Sequence, residues 1–153
     1  MSQTIEAVIP LAVGTPAPAF KLMASGNRQV SLSDYAGKNL IIVFYPKDQT
    51  PGCTQQLCAL RDDLAMFEDL NTAVLASNPA SMESHDRFAA AQGYRFPILV
   101  DAEKTMAADY CALKPEGGIQ RTVYIIDAKG VIQYAKQGMP TDEELADVIR
   151  GLA

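Results

Sequence analysis

The chain has 153 residues, 48% of them hydrophobic and 20% charged, which is the make-up of one globular domain and excludes a disordered chain. Thirteen basic against eighteen acidic residues give a net charge of −5 and a pI near 4.8, so the global positive field that draws nucleic acid or anionic lipid is missing. The longest unbroken apolar stretch is Leu40 to Tyr45, far short of the roughly 18 residues a membrane span needs.

No repeat or low-complexity linker divides the sequence. Residues 1–12 are expected to form a loosely held N-terminal arm, and 13–153 a single domain. Phe20–Met23 and Gln29–Leu32 flank Gly26-Asn27 and read as a hairpin. Leu40–Tyr45 is rich in β-branched and aromatic residues, the pattern of a strand buried on both faces. After the loop 46–52, Leu57, Leu60, Leu64 and Phe67 recur at helical spacing, which predicts one helix from about Cys53 to Leu70. Ala73–Ser77 is the next strand. A helix follows from Ser81 to about Gln92, then a strand at Pro97–Asp101 and a short helical piece at Ala107–Leu113. Thr122–Ile126 and Val131–Ala135 enclose the turn Asp127-Ala128-Lys129-Gly130 and read as a second hairpin. Thr141 with Glu144 three residues later predicts a capping box for the last helix. Alternating strands and helices between two hairpins predict an α/β fold, best matched by a thioredoxin-like three-layer α/β/α sandwich with a central mixed β-sheet.

Chemistry concentrates between Phe44 and Cys58. A buried strand delivers the chain to the carboxyl end of a sheet, where open α/β folds place their sites. Pro46 and Pro51 stiffen the loop that follows. Cys53 falls in the first turn of a helix, where unpaired N–H groups and the dipole favour an anion, and the thiolate is the nucleophilic form of cysteine. Thr50 brings a hydroxyl to the same turn. Cys58 lies five positions on, which on an ideal helix puts the two Cα atoms about 8.7 Å apart. A disulfide needs roughly 4.4–6.8 Å, so the pair can bond only if the helix unwinds locally.

These residues resemble the peroxiredoxins, specifically the peroxiredoxin Q or bacterioferritin-comigratory-protein group of the AhpC/TSA family. Pro46, Thr50 and Cys53 match the family's Pro-x-x-x-Thr-x-x-Cys signature inside Phe44-Tyr45-Pro46-Lys47-Asp48 and Thr50-Pro51-Gly52-Cys53-Thr54. Val13-Gly14 to Phe20, Val30 to Tyr35, Glu83-Ser84-His85 and Gly118 to Thr122 look like family segments in family order. The resemblance implies a thiol-dependent peroxidase for hydrogen peroxide and organic hydroperoxides. Cys53 would be oxidised to a sulfenic acid and Cys58 would resolve it to an intramolecular disulfide. Thr50 and Arg121 would hold the peroxide and Pro46 would shield the sulfur. A thioredoxin or similar dithiol would reduce the product. No metal or organic cofactor is implied, nor any nucleic-acid or membrane partner, and the group suggests a monomer. Three positions depart from the family pattern: Gln56 where Glu is usual, Leu60 where Phe is usual, and Cys111 in place of a small non-cysteine residue.

Other readings of the same residues carry less weight. Zinc bound by Cys53, Cys58, His85 and Cys111 would need four separate positions to converge, with no second close ligand pair. A general thiol–disulfide oxidoreductase would be expected to carry Cys-x-x-Cys, and a redox sensor would need to react only once. Cys111 reads as packing, since nothing around it in the sequence supplies positive charge. His85 falls on the apolar side of its helix and reads as a hydrogen-bonded structural residue. Tyr45 could hold a hydrogen bond or close the core, and Arg61 could support either the helix or the site. The first basic residue is Lys21, so no secretory signal is expected, and the cytoplasm is the simplest location, although a mature organellar chain would read the same way.

Overall fold

The computed structural model describes residues 8–152. Strands β1 (Lys21–Ala24) and β2 (Arg28–Ser31) form the first hairpin, and Gly26 and Asn27 both take positive φ at its turn. Both strands sit one residue nearer the turn than expected, with the pairing register unchanged and Met23 facing Gln29. Leu32–Tyr35 is a 3-10 helix, and the Ser31 N–H donates to Asp34 Oδ2 at 2.9 Å, which takes Leu32 out of the strand.

The central strand β3 (Asn39–Phe44) runs parallel to β4 (Thr72–Asn78), and β4 runs parallel to β5 (Ile98–Val100). β6 (Thr122–Ile126) pairs antiparallel with β3, and β7 (Ile132–Gln137) antiparallel with β6. The seven strands form one mixed sheet in the order β2-β1-β5-β4-β3-β6-β7. The expected second hairpin is present, but Val131 bridges Pro16 and leaves β7 to start one residue later. Of the N-terminal arm, residues 1–7 lie outside the described residues. Beyond them, the Leu11 N–H donates to the Tyr124 hydroxyl at 3.0 Å, and the Val8 carbonyl accepts from Gln137.

The expected long helix is two helices, α1 (Pro51–Asp62) and α2 (Leu64–Asp69), with Asp63 between them at φ −100° and ψ 10°. α1 also starts two residues early. Proline suits a first helical position because the N–H it lacks would have had no partner there. α3 (Met82–Gln92) is capped by Ser81, whose hydroxyl accepts from the Ser84 N–H. α4 (Thr105–Asp109) begins two residues before the expected helix because Asp101 caps it, accepting from Met106 and Ala107 N–H. α5 (Asp142–Arg150) has half of its expected capping box. Thr141 accepts from the Glu144 N–H at 3.1 Å, but the Glu144 carboxylate turns to Tyr134 and Lys136 instead of returning to the cap.

Alternate residues of β3 divide the core. Ile41, Val43 and Tyr45 pack with Leu57, Phe67, Phe88 and Leu145 from α1, α2, α3 and α5. Leu40, Ile42 and Phe44 pack on the other face with Met106 and Ala107 of α4, Tyr110 and Tyr124. This is the thioredoxin-like α/β/α sandwich, with both faces of its central strands covered. Among the described residues no helix is long and apolar enough to cross a membrane.

Candidate active site

Sheet register brings the two ends of the site together. Phe44 at the end of β3 pairs with Thr122 at the start of β6, so the chain leaving β3 runs beside Arg121. The loop 46–50 then carries it to α1, with Thr50 at the N-cap and Cys53 in the first turn. Cys53 is buried, 1% exposed, among apolar residues. Arg121 Nη2 donates to its sulfur at 3.2 Å, and Arg121 Nη1 donates to Gln56 Oε1 at 2.7 Å. Cys53 and Gln56 stand three residues apart on one helical face, and the planar guanidinium spans them. A Cβ added at Gly52 would lie 3.5 Å from Nη2, so the guanidinium rests over the first turn of α1. A thiol sulfur is thereby held against a permanent cation and a helix N-terminus, both of which favour negative charge.

A buried network fixes the loop behind the sulfur. Asp48 accepts from the Tyr45 hydroxyl through Oδ1 and from the Ser84 hydroxyl through Oδ2 at 2.6 Å. His85 Nδ1 meets the same Oδ2 at 2.7 Å, and its Nε2 donates to the Leu99 and Asn78 carbonyls. Asn78 Nδ2 donates to the Tyr45 carbonyl at 2.8 Å, closing the circuit. Burial alone would raise the Asp48 carboxyl, but hydrogen bonds from His85, Ser84 and Tyr45 outweigh it and hold the group below the usual carboxylate range. Burial, reinforced by the Asp48 charge, pushes the Tyr45 hydroxyl far above its ordinary range and keeps it a donor.

The other expected residues are placed unevenly. Thr50 Oγ1 donates to the Lys47 carbonyl at 2.9 Å, so its proton holds the loop and its oxygen remains an acceptor. Pro46 is exposed at the loop's start. Cys58 is half-buried on α1, and all three cysteines are free thiols. Its sulfur lies 3.4 Å from both Gln92 Oε1 and the Tyr94 hydroxyl. Cys111 does not join the site. It sits at a φ of 55° in the turn after α4, and its neighbours Tyr110 and Ala112 pack on the opposite face of the sheet. Among the described residues no cluster of three or more His, Cys, Asp or Glu side chains could hold a metal ion.

Residues 13–135 match the AhpC/TSA family. The chain belongs to that family. Peroxiredoxin Bcp of Bacillus subtilis is 31% identical over 92% of this chain and 94% of its own length. A PrxQ mutant of Xylella fastidiosa superposes with a TM-score of 0.83 at 28% identity, covering 99% of both chains. The bacterioferritin comigratory protein of Xanthomonas campestris, described for its alkyl peroxide reduction activity, superposes with a TM-score of 0.78 at 29% identity, covering 87% of this chain and 89% of its own. Peroxiredoxins are thiol-dependent peroxidases, so this AhpC/TSA member is an oxidoreductase that consumes peroxide and a thiol reductant.

Asp48, Ser84 and Asn78 support this candidate site, a role that nothing local in the sequence marks. Only Asp48 lay within the recognised loop, and its burial depends on side chains some thirty to forty positions away. Tyr45 does both things its position allowed, closing the core and holding a hydrogen bond. Arg61 donates from Nη1 to the Gln92 carbonyl at 2.7 Å and so ties α1 to the end of α3.

Proposed function

We propose that Cys53 is the peroxide-attacking thiol of this peroxidase and Cys58 its resolving partner. The observation that carries the reading is the 3.2 Å hydrogen bond from Arg121 to the sulfur of buried Cys53, with the guanidinium anchored in turn on Gln56. The Cys53 thiolate attacks the distal peroxide oxygen. The O–O bond breaks, sulfur gives up two electrons and becomes a sulfenic acid, and the alkoxide or hydroxide leaves with a proton as alcohol or water. Arg121 lies where negative charge shifts from sulfur to the leaving oxygen, the arrangement that lowers such a barrier. The Thr50 oxygen accepts the hydrogen of the bound peroxide, and Pro46 closes the loop side against water.

Cys58 then attacks the Cys53 sulfenic acid. A sulfur–sulfur bond forms, the S–O bond breaks, and the oxygen leaves as water with the Cys58 proton. Both cysteines belong to α1, Pro51–Asp62, so the disulfide closes within one chain and a monomer suffices, though the helix must unwind to allow it. A thioredoxin-type dithiol restores both thiols by exchange, which suits the reducing cytoplasm. Hydrogen peroxide and organic hydroperoxides are both substrates, a reading supported by the alkyl peroxide activity named for the Xanthomonas relative.

Intact mass after one equivalent of hydrogen peroxide tests the assignment. The wild type should lose two hydrogens, with digestion mapping a Cys53–Cys58 link, while Cys58→Ser should stop as a sulfenic acid on Cys53. An intramolecular disulfide in Cys58→Ser would transfer the resolving role to Cys111. A Cys53 that stays reduced for seconds would defeat the assignment altogether.

A further inference from the structure

Cys58 is held by groups that come from outside its own helix. α3 ends at Gln92, and Gly93 follows at a φ of 71° with its N–H on the Ala89 carbonyl. A left-handed turn of this kind, which glycine takes without steric penalty, brings both Gln92 and Tyr94 to α1. Cys58 Sγ donates to Gln92 Oε1 at 3.4 Å, and the Tyr94 hydroxyl lies 3.4 Å from the same sulfur. That hydroxyl also points at the Thr54 carbonyl, 3.5 Å away. Thr54 follows Cys53 and precedes Cys58 by four residues, so its carbonyl belongs to the turn between the two thiols.

The Tyr94 ring is fixed in place. It is 8% exposed, stacked on Phe96 and edge-on to Phe88, with both ring centroids 5.1 Å away. Burial first, then the neighbouring Cys58, pushes its hydroxyl well above the ordinary tyrosine range, so the oxygen keeps its proton.

We infer that the Tyr94 hydroxyl is a latch on the second step of the reaction, holding the Thr54–Cys58 turn wound and Cys58 away from Cys53. It is a positioning residue, since it touches the helix and the waiting thiol but not the peroxide. The inference rests on Cys58 being the resolving cysteine. Two processes compete for the Cys53 sulfenic acid. Cys58 can close the disulfide with loss of water, or a second peroxide can transfer an oxygen and give the sulfinic acid. A latch that delays unwinding therefore raises the fraction of enzyme lost to the second oxidation.

Tyr94→Phe removes one oxygen and leaves the ring stack in place. Rapid mixing with hydrogen peroxide should show disulfide closure about 3- to 10-fold faster, the effect of losing one or two weak hydrogen bonds. The sulfinic acid formed at fixed peroxide excess should fall by a similar factor, and the bimolecular rate of Cys53 oxidation should stay the same. Amide exchange over residues 55–58 of the reduced protein should quicken in parallel, with α5 unaffected. Gln92→Leu, which removes the thiol's acceptor and keeps Tyr94, should shift closure in the same direction by less and serves if Tyr94→Phe does not fold. Closure at the wild-type rate or slower, or equal changes in both steps, overturns the latch. A wild type that forms no Cys53–Cys58 disulfide overturns the resolving assignment and the latch with it. A wild type that forms it, beside a Tyr94→Phe variant that closes no faster, overturns the latch alone.

Discussion

The two halves of the α1 site are held in different ways. Behind Cys53, the loop 46–50 is tied by short hydrogen bonds from Tyr45, Ser84 and His85 to one buried carboxylate. At Cys58 itself the contacts are long, 3.4–3.5 Å, and involve a sulfur or a carbonyl already inside a helix, while the 2.7 Å bond from Arg61 to Gln92 holds α1 one turn further on. Hydrogen bonds to a buried charge are roughly twice as strong as neutral ones, and sulfur is a weak partner. The first half therefore stays in place while the second can come apart. The proposed two-step chemistry on one helix needs both properties, because attack on peroxide requires fixed geometry and disulfide closure requires the helix to open.

Removing the cation should break the first half most severely. Arg121→Met deprives the sulfur of the 3.2 Å donor and leaves Gln56 without its partner. The bimolecular rate of Cys53 oxidation should fall about 10²- to 10³-fold, as when a preorganised donor is lost at a site of shifting charge. Disulfide closure, read separately in the same stopped-flow trace, should change little. Arg121→Lys should recover only part of the loss, because a single ammonium cannot span Cys53 and Gln56 as a guanidinium does. A fall of less than threefold in Arg121→Met would show that the helix terminus alone activates the sulfur.

The Asp48 network is the next place to press. Asp48→Asn keeps the shape but removes the charge that three donors share, beside a His85 with no exposed surface. The expected loss is about 3 kcal/mol, or roughly 6–12 °C in melting temperature for a chain of this size. The pH dependence has a definite sign. The folded-state pKa of Asp48 lies below its unfolded value, so its contribution is complete above the ordinary carboxylate range and is lost as pH falls through the lower folded value. Melting curves of wild type and Asp48→Asn should therefore converge below about pH 4. A gap as wide at pH 3 as at pH 7 would mean that the aspartate acts by shape and not by charge.

The sequence exposed these two halves unequally. Cys53, Cys58, Thr50 and Pro46 lie within thirteen residues of one another, and helix geometry alone says that the two thiols cannot meet without unwinding. Arg121 is 68 positions from Cys53, and only family resemblance singled it out, since a lone arginine before a strand carries no local signal. Asp48 and Tyr94 stayed silent for a related reason. Their partners are 36, 37 and 40 residues away, joined through sheet register and the turn at Gly93. Among the elements, the break at Asp63 was invisible because Leu60, Leu64 and Phe67 carry the apolar period straight across it with no Gly or Pro to mark it. The early start of α4 was hidden likewise, its cap being a side chain at Asp101.

That break supplies the smallest expected effect, at the end of α1 far from Cys53. Asp142, in the first turn of α5, faces Asp63 at the junction, with Asp62 nearby and Glu143 beside it on its own helix. Burial, then the hydrogen bond and charge of Asp63, then Asp62, push the Asp142 carboxyl up to about 7. The folded state thus holds a proton that the unfolded chain releases near pH 4. The stability from this shared proton is complete below pH 4, declines as pH rises towards 7, and is gone above it. Asp142→Asn replaces the acid with a neutral donor at every pH, so its advantage over wild type should grow across that window. A half-buried pair relaxes when charged, and an aspartate in the first helical turn also gains a few tenths of a kcal/mol from the dipole. The net gain above pH 7 should be about 1 kcal/mol, or 2–4 °C in melting temperature, with none at pH 4. An equal gain at both pH values would place the effect in packing and remove the shared proton from the account of how the C-terminal end of α1 is secured.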